Sequence, residues 1–80
     1  MINTKHFKEM LKERDISMEM VNKATTILDK TEEREDGTKH YLKLFNINGG
    51  RWLRVIVNVN SDPPRRITAF FDRRLRRIRQ

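Results

Sequence analysis

Two turn signals constrain this chain more than anything else in it: Asp36-Gly37 and Asn48-Gly49-Gly50. Each stands between runs that alternate apolar and polar residues, and a tight hairpin needs residues that tolerate positive φ at its tip. Asp36-Gly37 predicts a two-residue type I′ turn joining Lys30 to Glu35, polar on both faces and so an edge strand, to a strand from Thr38 to Ile47. Asn48-Gly49-Gly50 turns the chain into Arg51 to Val59, Asn60 to Pro64 turns it again because proline lacks a ladder donor, and Arg65 to Phe71 closes the set. By period-two parity, Leu42, Leu44, Leu53, Val55, Val57, Val59, Ile67, Ala69 and Phe71 form a core face. The opposite face then carries Tyr41, Lys43, Phe45, Trp52, Arg54, Ile56, Arg66, Thr68 and Phe70.

Two helical patterns precede the strands. Phe7, Met10 and Leu11 recur at helical spacing between Thr4 and Arg14, with Lys8, Glu9, Lys12 and Glu13 opposite. The stripe centres near Arg14 with His6 at its edge, and two readings follow: Arg14 caps the helix end, or His6 and Arg14 act together in a site. Asp15-Ile16-Ser17 breaks this helix, and Ser17 is a good N-cap for a second one reaching about Leu28. Ile16 and Val21 hold hydrophobic-staple positions across that corner. The expected fold is α+β: two N-terminal helices packed on one face of a three- to four-stranded antiparallel meander. A short basic C-terminal helix, Arg73 to Arg79 capped by Asp72, follows it.

Eighty residues make a single domain spanning 1–80, with one small core. There is no cysteine, which removes disulfides, thiol nucleophiles and the common zinc sets and fits a reducing cytoplasm. No apolar run is long enough for a membrane span, and the first ten residues are too charged for a signal peptide, so a soluble cytoplasmic protein is expected. The net charge of +7 lies entirely in Arg51 to Gln80, where nine arginines oppose Asp62 and Asp72. Arginine grips phosphate bidentately and stacks on flat rings, so a nucleic-acid partner ranks ahead of a merely basic surface. The rings on the basic face stack RNA bases in one reading. In the other, Phe45, Trp52 and Phe70 form a mini-core under Leu75 and Ile78.

The available chemistry is narrow. Metal ligation, a Gly-rich phosphate loop and a serine nucleophile all lack their spacing, so no metal and no cofactor are expected. What remains is metal-free RNA cleavage, in which a 2′-OH attacks its own phosphate with help from a base, an acid and cations. His6, His40 and Tyr41 are the candidate proton-transfer groups, with Arg54, Arg66 and Arg73 as the candidate clamp and Arg14, beside His6, as a further candidate catalytic residue. Lys43, Arg65, Arg74, Arg76 and Arg77, again with Arg73, are expected to hold the nucleic-acid backbone.

His6-x-x-x-Met10-x-x-x-Arg14-x-Ile16-Ser17, an amphipathic helix, a Gly-containing hairpin, an aliphatic strand and Ile67-Thr68 together resemble a family of small prokaryotic domains of unknown function. That family is similar to the BrnT toxins and more distantly to the RelE/ParE toxin fold. The resemblance implies a compact α+β domain and metal-independent endoribonuclease activity of the mRNA interferase type. RNA, ribosome-associated message included, is the implied substrate, and a cognate antitoxin is the implied partner. The ParE branch is not a ribonuclease, so a non-catalytic RNA- or DNA-binding module and an interaction domain for an acidic protein stay open beside it.

Overall fold

The computed structural model describes residues 1–75. Strand β1 (Ile2–Asn3) leads into helices α1 (Lys5–Glu13) and α2 (Met18–Thr26), then β2 (Lys30–Glu33), β3 (Thr38–Phe45), β4 (Arg51–Asn58) and β5 (Arg65–Phe71). The strands form one mixed sheet in the order β1-β5-β4-β3-β2. Neighbours from β2 to β5 are antiparallel, and β1 lies parallel to β5.

Both helices start where a hydroxyl can cap them. Thr4 accepts a hydrogen bond from the Phe7 amide (3.0 Å) and Ser17 from the Met20 amide (3.1 Å), each satisfying a donor the first turn leaves open. Asp15 takes a left-handed φ of 57° between them, and Ile16, buried, anchors the corner together with Val21. One face of each helix then packs on one face of the sheet: Phe7, Leu11, Val21 and Ala24 against Leu53, Val55, Val57 and Ala69. Burying one such large aliphatic or aromatic side chain contributes about 1.5–3 kcal/mol, so this single layer is the main source of stability.

The expected architecture is corrected in several places. The sheet is neither a three- to four-stranded meander nor purely antiparallel, because the first residues add β1 as a fifth, parallel strand; two residues are too few to show an alternation in sequence. The C-terminal helix is also replaced: from Asp72 to Leu75 the chain makes a turn closed by the Leu75 amide on the Asp72 carbonyl. The remainder of the segment assigned to that helix lies outside the described residues.

Face assignments shift too. The first hairpin is closed by Arg34 N–H to Thr38 C=O, so its loop is the three residues Glu35-Asp36-Gly37 rather than two, with Gly37 at φ 85°. In β3, register places Tyr41 opposite Val55 and Lys43 opposite Leu53. Opposed residues share a face, so Lys39, Tyr41, Lys43 and Phe45 lie on the helix side, while His40, Leu42 and Leu44 lie on the open side. A bulge between β4 and β5 pairs Ile56 with Thr68 but Val57 with Arg66. Ile67 is thereby left exposed and Arg66 is turned under the helices.

Candidate nucleic-acid interface

The sheet face away from the helices carries Glu32 from β2, His40 and Leu42 from β3, Trp52, Arg54 and Ile56 from β4, and Phe70 from β5. Asp72 joins it through its amide, which donates to the Trp52 carbonyl. Arg54 is at the centre. Its Nε donates to Asp72 Oδ2 at 2.8 Å, and its Nη1 donates to Glu32 Oε1 at 3.0 Å and to His40 Nδ1 at 2.8 Å. Arg54 and Asp72 are each only 4% exposed.

This arrangement fixes the electrostatics of the face. A guanidinium only donates, so His40 Nδ1 accepts, and the neutral ring keeps its proton on Nε2. Burial, then the charges of Arg34 and Arg54, push the His40 pKa below the ordinary histidine value. Hydrogen bonds from Arg54 and Arg34 hold Glu32 down at about 2. Asp72 is likewise held at about 2, by the Arg74 side chain first and by the Arg74 amide and Arg54 after it. Both carboxylates are therefore ionised at neutral pH against three guanidiniums, and Arg34 and Arg74, both exposed, carry the surplus to the surface.

The residues singled out in the sequence fall into separate places. His40 and Arg54 come together on the open face. Tyr41 and Arg66 lie on the helix face instead. There Arg66, 8% exposed, donates to Asn3 Oδ1 (3.0 Å) and Thr25 Oγ1 (2.9 Å), and burial lowers its pKa. Arg14 is the C-cap of α1, and its Nη1 reaches Thr68 Oγ1 (3.2 Å) and the Ala69 carbonyl (2.8 Å) on β5. His6 is exposed at the other end of α1, about 12 Å along the axis at 1.5 Å per residue. Lys43 also lies on the helix face, 3.9 Å from Asp29 Oδ2 and over the Phe45 ring. Arg65 and Arg73 are exposed, while Arg76 and Arg77 lie outside the described residues.

Glu32, Arg34 and Asp72 are site residues that the strand reading did not select. The hairpin held the signal for Glu32: a two-residue loop pairs His40 with Glu33, and the three-residue loop present pairs it with Glu32.

Compared with known families, residues 3–71 match a domain of unknown function, DUF4258. The chain belongs to this family. As a DUF4258 domain it has the small-domain identity that its motif suggested, and the match carries no link to the BrnT or RelE/ParE toxins. No curated protein and no solved structure matches the chain. Among the described residues, no helix is long and apolar enough to cross a membrane, and no three His, Cys, Asp or Glu side chains gather as a metal site.

Proposed function

We propose that this DUF4258 domain binds RNA, with the sugar–phosphate backbone lying across the open face of the sheet. One observation carries the reading: a half-buried neutral imidazole, locked by Arg54 with its Nε2–H free of that bond, shares the open face with two exposed guanidiniums, Arg34 held on Glu32 and Arg74 held on Asp72. A donor on a face with two exposed cations suits a phosphate, and Phe70 on the same face adds a ring against which a base can rest. Labelled single-stranded RNA should bind in a fluorescence anisotropy titration and weaken steeply as salt is raised from 50 to 200 mM. Absence of binding at the lower salt would sink the reading.

The His40–Arg54 hydrogen bond also favours a second reading, toxin-like metal-independent cleavage. With Nδ1 occupied and the imidazolium disfavoured, His40 suits hydrogen bonding to a phosphoryl oxygen as charge grows there, rather than proton transfer. His6 and Tyr41 stand elsewhere, so cleavage would rest on in-line positioning and charge stabilisation: the 2′-oxygen bonds to phosphorus as the bond to the 5′-oxygen breaks, with solvent water taking the 2′-OH proton and supplying one to the departing 5′-oxygen. Loss of such a donor costs roughly 10²- to 10³-fold in rate, which is the drop expected for His40→Ala in RNA cleavage assayed with EDTA, with and without ribosomes. RNA left intact by the folded wild-type protein in both assays would eliminate cleavage and leave the binding module. In the toxin reading an antitoxin protein covers this same face, its carboxylates set against Arg34 and Arg74.

A further inference from the structure

At the sheet end where β4 begins and β5 finishes lies a cavity of about 280 Å³. This is just below the roughly 300–1,000 Å³ of pockets that take drug-sized ligands, the scale of a single nucleotide's base. Trp52, Phe71 and Leu75 give it apolar walls, and Gly50, at φ 105°, leaves one side without a side chain. Arg51 and Arg73 add two cations. Arg51 is already packed over the Phe71 ring, its Cζ 4.1 Å from the centroid. A guanidinium laid against one ring is held in place to stack on a second flat group.

The charges in this cavity are unevenly engaged. Asp72 lines it too, but its carboxylate accepts from Arg54 Nε and from the amide, Nε and Nη2 of Arg74, which uses its acceptor positions. Among the described residues, neither Arg51 nor Arg73 has an ion-pair partner. Rings and uncommitted cations with no available carboxylate suit a ligand that is flat at one end and anionic at the other.

We propose that this cavity is a nucleotide subsite: it takes one base of the bound strand by stacking, and Arg51 and Arg73 hold the adjoining phosphate. The inference rests on the RNA reading above and gives that interface a base-binding end, at the end of the sheet where Trp52 of the open face meets Arg51 and Phe71 of the helix side. Because Asp72 has no acceptor to spare, no base edge is read through it, and recognition is by stacking and tolerant of base identity.

Trp52 is the only tryptophan in the chain, so its fluorescence reports this position alone. The full chain is titrated with adenosine 5′-monophosphate and, separately, with inorganic phosphate, while RNA binding is followed in parallel by anisotropy. The nucleotide should change Trp52 emission saturably where phosphate alone does not. Arg51→Ala should weaken nucleotide binding by about 5- to 100-fold, the range for losing one stacking residue, and Arg73→Ala, at an exposed position that leaves the rings in place, by several-fold. No saturable change with the nucleotide, equal responses to nucleotide and phosphate, or indifference to both substitutions would overturn the subsite. RNA binding with an unresponsive Trp52 would remove the subsite and keep the RNA reading. Nucleotide binding without RNA binding would do the reverse.

Discussion

Arg54 and Arg66 are both buried arginines on adjacent strands, and their surroundings give them opposite weights. Arg54 meets Asp72 and Glu32, so its charge is compensated, and removing it leaves the buried Asp72 carboxylate, 4% exposed, to Arg74 alone. Breaking a buried pair from one side costs about 3–5 kcal/mol when the partner is left alone; with Arg74 still on Asp72 and Arg34 on Glu32, Arg54→Ala should lower the urea midpoint by an amount at or below the lower end of that range. Among the described residues Arg66 has only Asn3 and Thr25, and its Nε has no hydrogen-bond partner there. An uncompensated buried guanidinium carries its desolvation cost without return, so Arg66→Met should be neutral or raise the midpoint. The carboxylates add a pH dependence. Glu32 and Asp72 sit at about 2 in the folded chain against 4.5 and 3.8 ordinarily, so on acidification the unfolded chain takes up protons first. Stability present above about pH 4.5 should therefore fall progressively towards pH 2, by on the order of 2 kcal/mol from Asp72 alone, as urea melts across that range would measure.

At the scale of elements, β4 was legible and its neighbours were not, for reasons that lie in register. Leu53, Val55 and Val57 form an unbroken aliphatic parity against Trp52, Arg54, Ile56 and Asn58, and all three are fully buried under the helices. In β3 both faces carry apolar groups, Tyr41 and Phe45 on one and Leu42 and Leu44 on the other, so alternation alone names no core side. The five residues from Asn46 to Gly50 decide it by setting Phe45 opposite Arg51, and a loop one residue longer or shorter would reverse every side chain of the strand. In β5 the bulge does the same to Arg66 and Ile67, and nothing in the local composition marks it. The Arg54 cluster was hidden for the same cause, since its members become neighbours only once three registers are known. The first hairpin supplies a test of these loop rules. A Cβ at Gly37 would collide with the Asn60 side chain, and φ is 85° there. Gly37→Ala should cost more than the roughly 1 kcal/mol at which the change is normally felt, seen as a lowered melting temperature with Glu32 and His40 shifted in NMR spectra.

For the molecule as a whole, sequence gave the sign and location of the charge, and the fold gave its distribution. Residues 51–80 hold all of the +7, yet among the described residues their arginines divide between Arg54 in the open-face cluster, Arg51 and Arg66 on the helix side, and exposed Arg65, Arg73 and Arg74. Arg34, from the electrically neutral first part of the chain, joins the open face through Glu32. The central claim is that RNA lies on this face rather than on basic surface in general. The most direct measurement compares two double variants with the same change in net charge: Arg34→Gln with Arg74→Gln on the open face, and Lys8→Gln with Lys12→Gln on the exposed side of α1. RNA affinity is measured by anisotropy across a salt series. The open-face pair should weaken binding by about tenfold or more and reduce the salt slope by up to about 2, while the helix pair should stay within about twofold of wild type. Equal losses from the two pairs, or a larger loss from the helix pair, would contradict the claim.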